Sequence, residues 1–148
     1  METNNFLLDE GGNYFKGNPN YPFSNEVYKA VGCCMEVHKE LGKGFLEIVY
    51  KDALEYEFQL QGIPYVREKK LEVYYKGIIL PRHYTPDFYV FGKIMLEVKA
   101  QACIIEEFYK QSINYLAACR QPLGLLVNFG EDSLVFKRVI LTKDRPSH

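Results

Sequence analysis

The sequence has no long hydrophobic run, no large excess of positive or negative charge, and no basic segment at its N-terminus. Its uninterrupted apolar stretches are only a few residues long, far short of the ~18–20 that a membrane-spanning helix needs. Its formal net charge of −1 excludes a generally basic protein that coats nucleic acid, although a local basic groove is compatible with it. Residues 1–10 carry acids and asparagines, so we expect no export signal, no membrane partner and a cytoplasmic location.

Metal-binding patterns of cysteine and histidine are also missing. None of the four cysteines belongs to a C-x-x-C pair, and the three histidines stand far apart in the chain, a spacing that argues against a structural zinc site. Without an export signal, we expect the thiols to be reduced and buried as small hydrophobic groups. This applies to Cys33, Cys34, Cys103 and Cys119. No helix-turn-helix or zinc module for reading a base sequence is evident.

The composition is that of a folded protein whose first 22 residues differ in composition from the rest. Apolar residues make up 47% of the 148 residues and aromatic residues 15%, which is enough for a core and suits one domain. Residues 1–22 hold five Asn, three Gly and two Pro without a sustained apolar period. We therefore predict a flexible N-terminal arm over 1–22 and a single domain over 23–148.

Two helices are predicted at the start of this domain. The first ends at Gly42, after apolar residues that recur at spacings of three and four from Val27 to Leu41. The second runs from about residue 45 to 61 and ends before Gly62 and Pro64. Its predicted buried stripe consists of Leu46, Val49, Ala53, Tyr56 and Leu60.

The rest of the domain alternates between predicted strands and one helix. Segments 66–75, 78–80, 84–90 and 94–100 are predicted strands, and 105–118 is a predicted helix. The apolar run 123–129 is typical of a strand buried on both faces, and 134–141 is a predicted edge strand that would permit a homodimer. The order α-α-β-β-β-β-α-β-β predicts an α/β (α+β) fold, with a central sheet and a crossover helix.

The predicted hairpin of segments 84–90 and 94–100 carries the chemistry. A three-residue loop at 91–93 places three apolar pairs on one face: Val90 with Ile94, Phe88 with Leu96, and Pro86 with Val98. The opposite face then pairs Thr85 with Lys99, and Asp87 with Glu97. Two carboxylates are therefore expected directly across from each other, with a lysine two residues along.

Two neighbouring carboxylates raise the free energy of the folded protein unless a neutralising group lies close to them. At ~4 Å and an effective dielectric of ~20, two like charges repel by about 4 kcal/mol. Lys99 offsets part of this repulsion, and Mg²⁺ or Mn²⁺ suits two carboxylates and a backbone carbonyl better. The hairpin alone leaves a second interpretation open, in which Asp87, Glu97 and Lys99 form an ordinary solvated strand face without a metal ion.

Several segments resemble a known family. Pro86-Asp87, followed by Glu97-Val98-Lys99, resembles the P-D…(D/E)-x-K signature of the PD-(D/E)XK nuclease superfamily. The heptad from Gly44 through Glu47 to Tyr50 resembles the G-x-x-E-x-x-Y motif that names the GxxExxY protein family, a branch of that superfamily. Segments 37–42, 111–116 and 124–129 are also similar to that family, so that the resemblance covers about residues 25–141.

The resemblance implies a fold, a site and a reaction. The fold is a restriction-endonuclease-like core of order α-β-β-β-α-β, in which a mixed sheet is flanked by helices. Asp87, Glu97, Glu47 and the Val98 carbonyl would hold Mg²⁺ or Mn²⁺, with Lys99 beside the scissile phosphate and Gln111 closing the site. The implied reaction is metal-assisted hydrolysis of phosphodiester bonds. Tyr50 either positions Glu47 or packs, and Gln111 has the alternative of an ordinary surface amide.

The expected partner is nucleic acid, most simply DNA. Tyr74, Tyr75, Tyr84 and Tyr89 fall near the proposed site strands, where they either stack on unpaired bases or pack half-buried in the sheet. A second interpretation is a non-catalytic module of the same fold that binds nucleic acid or a partner protein. A third is hydrolysis of another phosphate ester at the same site.

Overall fold

The computed structural model describes residues 23–141, so the predicted N-terminal arm and residues 142–148 lie outside the described part of the chain. Three helices and seven strands follow one another in this part. They are α1 (Ser24–Leu41), α2 (Glu47–Gln61), β1 (Tyr65–Arg67), β2 (Leu71–Tyr75), β3 (Ile78–Tyr84), β4 (Phe88–Val90), β5 (Ile94–Lys99), α3 (Glu106–Ala118), β6 (Leu123–Asn128) and β7 (Val135–Val139).

Five of the strands form one mixed sheet in the order β1-β4-β5-β6-β7. The pairs β1/β4, β4/β5 and β6/β7 are antiparallel, whereas β5 and β6 are parallel. A parallel pair needs a long crossover connection, and α3 supplies it. The predicted mixed sheet flanked by helices is confirmed, as is the predicted order of helices and strands, in which one predicted strand is divided in two. The strand β7 lies at the sheet edge, as predicted, and the homodimer stays a prediction.

The parallel pair β5/β6 is the centre of the fold. All six residues of β6 are buried, as the apolar run predicted, because helices cover both faces of a central parallel pair. The register places Lys99 opposite Asn128, at the carboxyl ends of the two strands. These two ends therefore meet at one edge of the sheet.

The strands β2 and β3 form a separate two-stranded sheet. The segment 66–75, predicted as one strand, is divided between β1 and β2, because Glu68 takes a left-handed backbone conformation with φ 57°. The strand β3 continues through Pro81 to Tyr84, beyond the predicted end at residue 80. Pro81 is tolerated because it lies opposite an irregularity between Glu72 and Tyr74, where no regular ladder bond is required.

The predicted buried face of α2 is wrong. The structure buries Tyr50, Leu54 and Phe58, and it leaves exposed three members of the predicted stripe: Leu46, Tyr56 and Leu60. Both faces of this helix are apolar, so periodicity alone did not separate them. Contacts between aromatic rings select the buried face of the helix. The Tyr50 ring stacks on Phe129 with centroids 4.7 Å apart, and the Phe58 ring meets Phe88 edge-on with centroids 5.3 Å apart.

The cysteine prediction holds for three of the four positions. Cys33, Cys34 and Cys119 are buried free thiols, whereas Cys103 is exposed. Cys103 lies between β5 and α3 in an irregular segment, where connections run over the surface. Within residues 23–141, no helix has the length and apolar character required to cross a bilayer.

Candidate active site

The hairpin β4/β5 forms in the predicted register, but β4 is shorter than predicted. Val90 pairs with Ile94 and Phe88 with Leu96, whereas β4 begins at Phe88, so Thr85 and Pro86 do not extend the ladder to Lys99 and Val98. On the other edge of this segment, the Asp87 carbonyl accepts the N–H of Glu68, which follows β1, at 3.0 Å.

The Asp87 side chain replaces the missing ladder contact. Its Oδ2 accepts the backbone N–H of Val98 at 2.7 Å, so the carboxylate itself bridges to β5. This bond fixes Asp87 beside Glu97, the preceding residue of that strand. The two carboxylates therefore become neighbours, as predicted, through a side-chain contact rather than through a backbone pair.

The Glu97 carboxyl is partly buried and strongly perturbed. Burial raises its pKa to about 7, and the neighbouring Asp87 carboxylate acts in the same direction. A hydrogen bond from Tyr84 and the charge of Lys99 act in the opposite direction. The site therefore retains a protonatable carboxyl near neutral pH when no cation is bound.

Tyr84 is a site residue whose contact the sequence analysis did not identify. Its hydroxyl donates to Oε2 of Glu97, and its ring stacks on Tyr115 of α3 with centroids 3.9 Å apart and planes at 13°. Burial and the Glu97 charge raise the pKa of Tyr84, which keeps its hydroxyl a donor. The sequence feature that could have identified Tyr84 is its position three residues before Asp87, among the tyrosines near the site strands.

Lys51 is a second site residue that sequence reasoning missed. Its Nζ lies 3.1 Å from Oδ1 of Asp87 and 4.0 Å from Oε2 of Glu68, and its side chain is only 16% exposed. Lys51 follows Glu47 by four residues, so the two share one side of α2. That spacing was the available signal. The ion pair offsets part of the negative charge that Asp87 brings to the site.

Lys99 lies on the same strand as Glu97, two residues along, and so shares its face of the sheet. Its Nζ stands 4.4 Å from the centre of the Phe108 ring, a cation–π geometry. Its carbonyl accepts the N–H of Phe129 at 2.8 Å. The ammonium group thus lies against α3, and among the described residues it forms no ion pair with a carboxylate, although its charge acts on Glu97.

The chain immediately after Lys99 is clamped by the buried Asn128. The Asn128 Oδ1 accepts the N–H groups of Gln101 and Gly130 at 2.9 and 3.2 Å, and its Nδ2 donates to the Gln101 carbonyl at 3.0 Å. Nδ2 also donates to Oε2 of Glu131 at 2.8 Å. A Cβ at position 130 would lie 2.2 Å from the Gln101 carbonyl oxygen, so only glycine fits there.

Glu47 is the first residue of α2 and is half-buried. No hydrogen bond or ion pair joins Glu47 to Asp87 or Glu97 within residues 23–141. The other two positions of its heptad shape the loop before the helix: Gly44 has φ 109°, and the Tyr50 hydroxyl donates to the Gly42 carbonyl at 2.6 Å. The same hydroxyl accepts the N–H of Phe45 at 3.2 Å. Tyr50 thus packs and holds the loop.

Gln111 is exposed on α3. It precedes Tyr115 by one helical turn, and Tyr115 reaches the site by stacking on Tyr84. The structure gives no contact between Gln111 and the carboxylates among the described residues. Its predicted role at the site stays a prediction.

The donor atoms suit a hard divalent cation. Asp87 and Glu97 supply oxygen ligands. Burial and, to a smaller extent, the Asp87 charge raise the pKa of Glu97, and a bound cation would offset both effects. No cluster of three or more His, Cys, Asp or Glu residues with metal-binding geometry occurs in 23–141. Asp87 and Glu97 provide two carboxylates, and Mg²⁺ is commonly bound through one or two carboxylates while it retains several waters.

Comparison with known proteins identifies the family. The family model of the PD-(D/E)XK nuclease superfamily matches residues 24–139, and the chain belongs to that superfamily. Among solved structures, the chain is similar to an alkaline exonuclease from Laribacter hongkongensis, with 11% sequence identity and a TM-score of 0.47. That similarity covers 78% of this chain and 70% of the exonuclease chain. A comparison with curated proteins finds no significant match.

Proposed function

We propose that this protein is a nuclease that hydrolyses phosphodiester bonds in DNA with the aid of Mg²⁺ or Mn²⁺. The observation that carries the proposal is the contact of Asp87 with β5, which places its carboxylate beside Glu97, with Lys99 on the same strand face. Membership of the nuclease superfamily supports it. The proposal includes membership of the GxxExxY branch, which the heptad with Gly44, Glu47 and Tyr50 supports.

The residues divide into those that hold the cation and those that act on the substrate. Asp87 and Glu97 would hold the metal ion, together with the Val98 carbonyl and Glu47. A bound metal supplies a water of lowered pKa and offsets negative charge on the phosphate oxygens. As an ammonium group, Lys99 would orient the attacking water or steady the phosphate as its phosphorus becomes pentavalent, and as the neutral amine it would accept a proton from that water. Gln111 closes the site from α3.

Two further residues keep the carboxylates in place. Lys51 binds Oδ1 of Asp87 while the Val98 N–H binds Oδ2, so both oxygens are oriented. Tyr84 donates to Oε2 of Glu97. Both are positioning residues in this proposal, since each acts through a carboxylate rather than on the phosphate.

A specific observation favours a second candidate, a non-catalytic module of the same fold. Lys51 pairs with Asp87 and a proton can neutralise Glu97 near neutral pH, so the carboxylate pair is relieved of repulsion by the protein's own groups. Such a module would bind nucleic acid or a partner protein without cutting a bond.

A cleavage assay separates the two candidates. Labelled single-stranded, double-stranded, flapped and circular DNA, RNA and a small phosphodiester are incubated with Mg²⁺, Mn²⁺ or EDTA. We expect metal-dependent cutting that falls by at least about 10³-fold in Asp87→Asn and Lys99→Ala, a loss of about 4 kcal/mol of transition-state stabilisation. Glu40→Gln, an exposed change on α1, is the matched control and retains activity.

Thermal unfolding gives an independent readout. Metal that binds the folded state raises the melting temperature, and Asp87→Asn should abolish that rise while Glu40→Gln keeps it. No cutting of any substrate, together with no metal-induced stabilisation, would overturn the nuclease and favour the binding module.

A further inference from the structure

The hairpin of residues 69–84, here called the β2–β3 arm, stands apart from the main sheet. Its two strands pair only with each other among the described strands. Its base is anchored by the buried Leu71 and by Tyr84, which lie opposite each other at one end of the ladder. The other end pairs Tyr75 with Ile78. The arm is thus attached to the active site at its base. It also contacts Arg120, whose guanidinium carbon stands 4.2 Å from the centre of the Tyr74 ring, and it exposes Tyr75 and Ile78 at its tip.

The base of the arm is attached directly to the candidate catalytic groups. Tyr84 donates to Glu97 and stacks on Tyr115 of α3. The seven residues of β3 span about 20 Å at ~3.3 Å per residue. The tip therefore lies roughly that distance from Glu97 along the strand, so it is placed to contact a substrate at a distance from the bond that is cut.

The arm is basic in a chain that is otherwise acidic. It carries four cations and one carboxylate, a net charge of +3, whereas the whole chain carries −1. The four cations are exposed, and none pairs with a carboxylate within residues 23–141. They are Lys69, Lys70, Lys76 and Arg82.

The tip of the arm also exposes large apolar side chains. Tyr75 is 55% exposed, Ile78 59% and Ile79 52%. The Nζ of Lys76 stands 5.5 Å from the centre of the Tyr75 ring. These side chains do not contribute to the core, and they form an exposed apolar patch next to the Lys76 cation.

We propose that the β2–β3 arm binds a single-stranded segment of DNA that extends up to about 20 Å from the bond positioned at Glu97 and Lys99; this rests on the proposed nuclease function for the identity of the substrate. Lysine and arginine side chains contact the phosphates, and the Tyr75 ring offers a stacking surface for an unpaired base. A net charge of +3 favours a polyanion over an apolar protein surface. Paired bases in a duplex present no free ring face to Tyr75, which favours a single strand.

The test measures binding separately from cleavage. Fluorescence anisotropy with labelled oligo-deoxythymidylate, in EDTA and at several salt concentrations, compares wild type with three variants of the full chain. Lys70→Gln/Lys76→Gln removes two arm charges, Tyr75→Ser removes the exposed ring, and Lys29→Gln/Lys39→Gln removes two exposed charges of α1. All substituted residues are exposed, so folding is not expected to suffer, and circular dichroism checks this.

The expected losses follow from counterion release and stacking. Removing two phosphate contacts should weaken binding by roughly tenfold and lower the slope of log affinity against log salt by about 1.4, since each contact contributes ~0.7 on a single strand. Tyr75→Ser should weaken binding roughly tenfold with an unchanged slope. The α1 variant should bind as wild type does.

The outcomes of this test and of the cleavage assay are distinguishable. Suppose that the wild type cleaves DNA and that both arm variants keep its affinity and its salt dependence of affinity. This result would overturn DNA binding by the β2–β3 arm and leave the proposed nuclease function intact. Arm-dependent binding, without cleavage of any substrate and without metal-induced stabilisation, supports the role of the β2–β3 arm and overturns the nuclease. Equal losses of affinity in the α1 and arm variants would overturn the proposed binding by the β2–β3 arm. The same holds if the arm is needed for binding duplex DNA but not single-stranded DNA.

Discussion

The Tyr84 hydroxyl donates a hydrogen bond to the Glu97 carboxylate, and this contact joins the two-stranded sheet to the five-stranded sheet. Tyr84 ends β3, and Glu97 lies in β5, so the contact connects the base of the β2–β3 arm with the candidate metal ligand. Stacking of Tyr84 on Tyr115 adds α3 to the same junction. Changes in any of these three elements are therefore expected to alter the site.

The first prediction concerns this hydrogen bond. Tyr84→Phe keeps the stacked ring and removes the donor to Glu97, a group whose pKa the donor lowers. We expect the acid limb of the pH–rate profile for cleavage to move to higher pH and the free energy of unfolding to fall by about 1–2 kcal/mol. An unchanged acid limb would show that the hydroxyl does not act on Glu97.

The second prediction concerns the pH dependence of stability without metal. The pKa of Glu97 is raised from 4.5 to about 7 in the folded protein, so the unfolded chain releases this proton first as pH rises. The stability supplied by the protonated carboxyl is complete below pH 4.5 and is lost between about 4.5 and 7.

Urea unfolding at several pH values in EDTA measures this loss. Between pH 4.5 and 7, Glu97→Gln, which cannot titrate, should lose less stability than wild type. Parallel stability curves for the two proteins would contradict the raised pKa of Glu97.

The third prediction concerns Lys51. Lys51→Met keeps the length of the side chain but removes the cation that lies 3.1 Å from Asp87. Since the pair is largely shielded from water, we expect the metal-free protein to lose about 1–3 kcal/mol of stability. The two carboxylates then depend more on a bound cation, so the rise in melting temperature on adding Mg²⁺ should be larger than in wild type. An equal or smaller rise would contradict the compensating role of Lys51.

The fourth prediction concerns the clamp after Lys99. Gly130→Ala places a Cβ 2.2 Å from the Gln101 carbonyl oxygen, so the backbone must move, at a cost of about 2–3 kcal/mol. Cleavage should fall as well, because the displaced segment follows Lys99 directly. Gly32→Ala is the matched control: it lies inside α1 with nothing within 4 Å of the new Cβ and should stabilise the helix by about 0.5–1 kcal/mol. Chemical denaturation of both variants gives the comparison, and equal effects would rule out the steric clamp.

Local pattern accounts for much of the fold and for the centre of the site. The apolar run in β6 predicted a strand buried on both faces, and the pairing of Phe88 with Leu96 followed from a short hairpin loop. The same hairpin predicted that Asp87 and Glu97 would be neighbours. These inferences succeed because side-chain alternation in a strand is a local property that residue spacing reports directly.

The remaining parts depended on contacts between distant segments. Tyr84 and Lys51 reach the carboxylates from a different sheet and from a helix, and no local period records which partner a polar side chain finds. The buried face of α2 was decided by the rings that Phe88 and Phe129 present to it. Residue spacing accounted for the carboxylate pair and for the order of helices and strands, apart from the division of segment 66–75. The surroundings of that pair were set by tertiary packing, because burial and long-range pairing arise only when the elements pack together.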